Sequence, residues 1–247
     1  MDVTLTMHEF RGYRIDARDG HLGHVVDVFF DDETWVIRYI VVETGAWLHR
    51  RRVLVSPIVV RPVDGARTIT VDLTCDELAH APAVDTDMPI SRQMELKYRD
   101  YFAWPRYWLS GFYEPYEIQA YQRSFEAEKA IQAGTARRRE PPMRHGPRRD
   151  PHLRSAEAIT GYRVTSGASV CGHATDFVLT VDGNGWRLRD FVIEAGGLFR
   201  HRQALLAPAW IEDVSWATAT VRLSLPCDAV FVEPAEPQLA ATDRHTG

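Results

Sequence analysis

One residue pair that could do chemistry occurs twice in this 247-residue chain. His24 and Asp27 return as His173 and Asp176. A histidine with a carboxylate can form an acid–base dyad. Residues 23–30 read as a strand, however, and strand residues three apart point to opposite faces. The pair cannot meet there, so a structural role is expected. Glu43 and Glu194 both stand just before a glycine turn, and pairing with a strand or turn arginine is expected of them rather than acid–base work. His21 and His24 suggest a metal site, but the second copy has Val170 in place of His21 and no third ligand lies at useful spacing. No glycine-rich phosphate loop leads from a strand into a helix. Cys75, Cys171 and Cys227 are scattered and odd in number, which argues against a disulfide framework and against a thiolate metal site. Cys171 stands where the first copy has Leu22, so it is expected to be a small buried hydrophobe. The reading is therefore of a chain without catalytic residues, cofactor or metal.

Two groups could bind something else. Arg50-Arg51-Arg52 and Arg200-His201-Arg202 are basic turns that either bind anions or lipid headgroups or are simply solvated. Tyr101, Phe102, Trp104, Tyr107, Trp108, Phe112 and Tyr113 form a dense aromatic cluster. It either packs on a β unit or serves a partner, since Trp and Tyr anchor interfaces. The partner-binding candidates are Trp104, Tyr107, Trp108, Arg50, Arg51 and Arg52.

The elements that position these residues are strands, and they are duplicated. Residues 25–30, 35–43, 53–55 and 68–73 are rich in β-branched and aromatic residues or alternate with period two. Phe10 to Ile15 is a further short strand candidate. Gly12-Tyr13-Arg14 matches Gly161-Tyr162-Arg163, and Trp35 matches Trp186 after a turn longer by two residues. Fourteen of the 49 aligned positions from Gly12 to Val60 are identical, against roughly one in fifteen by chance, so the chain contains a duplication. Comparing the copies, Val36 and Arg38 match Arg187 and Arg189, a face that can be wet. Trp35 and Ile37 match Trp186 and Leu188, a face expected to be dry. Tyr39 matches Asp190, and that break of phase suggests a β-bulge, the alternative being a strand buried on both faces.

Between the copies the pattern changes. Ser91 can cap a helix carrying Met94, Tyr98, Tyr101 and Phe102, and a second helix is expected over residues 116–133. Residues 137–154 hold seven arginines and four prolines, the composition of a flexible, solvated linker. The expected organisation is a first β domain at 1–75, an aromatic helical connector at 76–134, a linker at 135–155, a second β domain at 156–233 and a disordered tail at 234–247. With 45% apolar and 26% charged residues and a net charge of -5, nucleic acid is not an expected partner. No run suits a transmembrane helix and no signal peptide is visible at the start, so the cytoplasm is the expected compartment.

The block Gly23…Asp27…Trp35-Val36-Ile37-Arg38-Tyr39-Ile40-Val41-Val42-Glu43-Thr44-Gly45…Val53-Leu54-Val55-Ser56-Pro57 resembles the PRC-barrel family, which is named for the cytoplasmic domain of the photosynthetic reaction-centre H subunit and also supplies the C-terminal domain of a ribosome maturation factor. Residues 85–92 with Glu95, Tyr98, Trp104-Pro105 and Tyr107-Trp108 look like the connector of bacterial proteins with two such barrels. The resemblance implies a mainly β chain of two six-stranded antiparallel barrels, used as a protein-interaction adaptor without a shared catalytic site. It does not extend to a reaction-centre role, because the H subunit has a membrane helix. The alternatives are a peripheral factor that touches anionic lipid through its basic turns and linker, and an unrecognised enzyme. A protein partner is expected, and homo-oligomers are compatible with the sequence. Limited trypsin digestion is expected to cut first between Gly134 and Arg154 and to leave two resistant fragments. Early cuts within residues 35–55 would contradict this organisation.

Overall fold

A computed structural model of the chain describes residues 3–61, 67–81, 101–102, 153–182, 185–196 and 202–231. The first copy supplies β1 (Val3–Thr6), α1 (Met7–Phe10), β2 (Arg14–Ala17), β3 (Gly20–Asp31), β4 (Ile37–Thr44), β5 (Arg52–Val55), β6 (Thr68–Thr70) and α2 (Cys75–Ala79). The second supplies β7 (Leu153–Ser155), α3 (Ala156–Ile159), β8 (Arg163–Ser166), β9 (Ser169–Asp182), β10 (Gly185–Ala195), β11 (Arg202–Leu206), β12 (Ile211–Ser215) and β13 (Thr220–Leu223). The chain is mainly β, as expected, and its described helices are short.

The strands form two sheets rather than two antiparallel six-stranded barrels. One runs β5-β4-β3-β2-β6 and the other β11-β10-β9-β8-β13-β12. Both are mixed, because β6 lies parallel to β2 and β13 lies parallel to β8. The chain crosses after β5 and meets β2 running the same way, where Arg14 N–H donates to Arg67 O and Val71 N–H to Asp16 O. Among the described residues neither sheet closes on itself.

Each sheet also takes a strand from the other copy. β1 pairs with β9, with Leu5 opposite Leu179 and Thr6 opposite Val178. β7 pairs with β3, with Arg154 opposite Phe30 and Ser155 opposite Phe29. At the offset of 149 these two joints are equivalent, so the exchange is reciprocal about a pseudo-two-fold. Val36 bridges its own counterpart Arg187 at that axis, and Leu188 N–H donates to Trp35 O at 2.8 Å. Leu153–Ser155, placed in the linker from composition, are thus a strand of the first sheet. Long β3 and β9 would otherwise present unpaired backbone groups along part of an edge, and β7 and β1 cover them.

Local chemistry sets where each exchanged strand stops. Thr6 accepts from Glu9 N–H while Glu9 reaches back to Thr6 N–H, a complete capping box. Ser155 accepts from Ala158 N–H in the same place. The one-turn helices that follow bury Met7 and Phe10, and Ala156 and Ile159. Phe10 therefore ends a helix, and the strand begins only at Arg14: the capping box overrides the β propensity of the segment.

The bulge expected near Tyr39 is present in both copies. Register slips by one residue at Arg38, between Phe29 and Phe30 of β3, and at Arg189, between Leu188 and Asp190. The wet face holds only in the second copy. Arg38 is buried, held by Thr34 at 3.1 Å and Asp31 at 3.6 Å, whereas Arg189 is exposed.

One hydrophobic core runs through both copies. Its shared part is aromatic: Phe10 lies 5.5 Å from Trp186, Phe30 6.3 Å from Phe177 and 6.4 Å from Phe191, and Trp35 5.7 Å from Phe191. Truncating Phe10, which is 1% exposed, should cost about 3–5 kcal/mol. Because Phe10 packs on Trp186, hydrogen exchange in the Phe10→Ala protein should speed up in β9 and β10 as well as in the first sheet. Protection lost only in the first sheet would show that the cores are separate.

Candidate functional site

The recurring His–Asp pairs are split by the strand, as expected. His24 and His173 are exposed, and Asp27 is buried at 3% exposure. Asp27 works across the joint between the copies. Its Oδ1 accepts from Glu157 N–H at 2.9 Å, at the start of α3, and from Val28 N–H at 2.8 Å. Its Oδ2 accepts from the Ser155 hydroxyl at 2.5 Å. Asp176 does the same in reverse, accepting from His8 N–H at 3.1 Å, at the start of α1, and from Phe177 N–H at 2.8 Å. A carboxylate at a helix start satisfies N–H groups that have no partner within the helix. Each copy thus pins the other's exchanged element with its own aspartate. Burial pushes the Asp27 carboxyl up from its usual 3.8 to about 6, against the opposing pull of Ser155, Glu157 N–H and Val28 N–H.

The other recurring residues have equally local work. At Gly23 a Cβ would sit 2.0 Å from Glu43 O, and at Gly172 it would sit 2.4 Å from Glu194 O, so the strand crossing admits only glycine. Glu43 lies opposite Arg52 across β4 and β5, and Glu194 lies opposite Gln203. His21 Nδ1 lies 3.0 Å from Asp16 and its ring 5.1 Å from His24. Among the described residues no three His, Cys, Asp or Glu side chains gather as a metal site.

The basic turn divides by role. Arg51 donates to Ala79 O at 3.1 Å and to Ala81 O, closing the C-terminal end of α2. Its counterpart Arg202 donates to Phe231 O at 2.7 Å and stacks over the Phe231 ring. Both supply a cation where backbone carbonyls end a helix. Arg52 lies 3.9 Å from Glu157 of the second copy. Arg50 is exposed, with φ 53°. Trp104, Tyr107 and Trp108 lie outside the described residues, as do Arg200 and His201. Of the aromatic cluster, Tyr101 donates its hydroxyl to Glu77 O at 3.0 Å and Phe102 is buried.

The match to known families falls on this first copy. Residues 3–78 match the family model of the PRC-barrel domain. The first copy is a PRC-barrel domain. No curated protein matches the chain.

The two copies treat their cysteines differently, contrary to the expectation of no disulfide. Cys171 and Cys227 are bonded, with their Cα atoms 4.9 Å apart. Cys171 is buried, as expected, at 5% exposure. Cys75 of the PRC-barrel domain is the counterpart of Cys227: Cys75 opens α2 after Thr74, and Cys227 follows Pro226 two residues before the turn Ala229–Phe231. Cys75 stays free because Leu22 stands where Cys171 does, and burial pushes its thiol up to about 11. The odd count of three pointed away from a pair that only the fold brings together.

Sequence reasoning also missed the capping motifs before Gly12 and Gly161, where Thr6 and Ser155 share the offset of 149. They were the available signal for the exchanged elements. Asp27 offers a direct check on the joint. Its raised pKa means that its contribution to stability is greatest below about pH 4 and is lost as pH rises through about 6. The full difference is about 3 kcal/mol. Asp27→Asn keeps an acceptor for Glu157 and a donor for Ser155 but carries no charge. Its stability should equal or exceed the wild type at pH 7, and the wild type should gain on it as pH falls from 6 to 4. Parallel pH profiles for the two proteins would refute this role.

Proposed function

We propose that the chain is a non-catalytic protein-interaction adaptor made of two PRC-type units, the second being residues 153–231. The observation that carries this is the use to which the recurring polar residues are put. Asp27, Asp176, Arg51 and Arg202 are the positions an active site in a duplicated domain would have reused, and all four hold backbone groups of the fold. The second unit repeats the element order, the parallel strand pair, the bulge and the glycine crossing of the first, which supports a common ancestry despite its lack of a family match.

The partner surface that best fits is the aromatic segment. Tyr101 already lies against α2 and Phe102 is buried beside it, and Trp104, Tyr107 and Trp108 follow in the chain. The lipid reading has less support, since Arg51 and Arg52 are engaged and Arg50 alone of that turn points to solvent-exposed use.

A partner recovered on the immobilised full chain, and then shown to bind it as a purified pair, should lose at least tenfold in affinity with Trp104→Ala or Trp108→Ala at unchanged melting temperature. A reproducible turnover that a single substitution at His24, His173, Glu43 or Glu194 abolishes, with the fold intact, would sink the adaptor reading.

A further inference from the structure

The two joints between the units share their backbone pairing and their aspartate pins, but they differ at one place. In the joint made by β7, Arg154 Nε lies 2.6 Å from Asp32 Oδ2, and the two side chains are 6% and 9% exposed. At the equivalent positions of the joint made by β1, Arg154 is replaced by Leu5 and Asp32 by Val181. Leu5 is buried, and Val181 packs against the core. One joint is therefore ionic and the other apolar, on otherwise matching frames.

We infer that the Arg154–Asp32 pair is a specificity lock that lets the two units accept each other and reject copies of themselves. In a pairing of two first units, Leu5 would lie where Arg154 now reaches Asp32, and a buried carboxylate would lose its cation twice over. In a pairing of two second units, Arg154 would be driven against Val181. Leaving one member of a buried pair without its partner costs far more than the pair contributes, and such mismatches are how related interfaces discriminate. The rim agrees in sign. Glu157 sits 3.7 Å from Arg11 and 3.9 Å from Arg52, and its counterpart in the first unit is His8. Two first units would place His8 beside those arginines. The shared features, Asp27 with Glu157 N–H and Asp176 with His8 N–H, favour any pairing equally. The partner that this surface fits is a PRC-type unit whose entering strand carries an arginine two residues before its helix, with an apolar wall beside its own acceptor strand.

The test has two parts on the whole chain. In urea titrations, Asp32→Val and Arg154→Leu should each lower the folding equilibrium constant by about 100-fold or more. The double variant, which copies the apolar joint, should return to within about tenfold of wild type. If a single variant does not fold and the double does, the coupling is already shown. A double variant as damaged as the product of the singles overturns the lock. For partner choice, chains carrying an inserted protease site after Gly134 are cut, unfolded, refolded together at micromolar concentration and weighed by native mass spectrometry. The wild type should yield the pair of unlike pieces, and the double variant should add pairs of like pieces. A wild type in which anything but the unlike pair is the main product, or a double variant with no like pairs, overturns the inference.

Discussion

The two copies are joined where an aspartate oxygen of one accepts the N–H at the helix start of the other. Asp27 and Asp176 lie four residues past a glycine at which the strands cross nearly in contact, and each takes an N–H that its own copy did not supply. A unit of this size buries a modest fraction of its surface and is marginal by itself. Exchanging a strand and a helical turn lets both copies fill one aromatic core. It also covers the free stretch of β3 and β9, which would be a template for unwanted pairing. Stability, edge protection and the association of the copies are therefore the same set of contacts.

Duplication preserves what geometry demands and releases what packing can replace. The preserved positions are the glycine crossing, the aspartate pin, the arginine at the helix end and the proline that starts the turn after β5 and β11. The released positions show substitution of one physical device by another. In the first copy the terminal helix has five residues, a Thr74–Glu77 capping box and a fully buried Leu78. In the second, Pro226 replaces the capping threonine, the helix shrinks to the turn Ala229–Phe231, and Val230 is less deeply buried. There the Cys171–Cys227 bond ties the segment down. A covalent link stands in for a cap and a leucine.

Much of this was legible from sequence because strand periodicity and repetition are local signals. The strand at Ile37–Thr44 and the bulge one residue before Tyr39 and Asp190 follow from the period of two, although Trp35 lies outside that strand, with φ 60°, and a second bulge, between Val25 and Asp27, interrupts the period from which the separation of His24 and Asp27 is read. What was not legible depends on which copy a strand joins. Nothing in Leu5 or Arg154 announces that its partner lies in the other copy, 174 and 122 residues away, and the arginine's neighbours made it read as part of a solvated linker. Arg51 looked like one of three surface cations because a helix C-terminus 28 residues later cannot be seen from its turn. Arg38 looked wet because its counterpart Arg189 is, and only the fold brings Asp31 and Thr34 around it. The sheets were expected to be antiparallel because short spacings suggest hairpins, and the long crossover to β6 breaks that rule.

The exchange also changes what the connector is. A chain with two independent domains would use residues 82–152 to bridge them. Here both ends of that segment are fastened to the same sheet. Ala81 O receives Arg51 of the PRC-barrel domain, and Leu153 pairs with Asp31 on β3. Tyr101 returns to the same place, donating to Glu77 O on α2. The segment is topologically an excursion from the first unit, and the link to the second is made by α3 and β8 directly after β7. Of the aromatic cluster, Tyr101 is thereby tied to the first unit, on α2 itself.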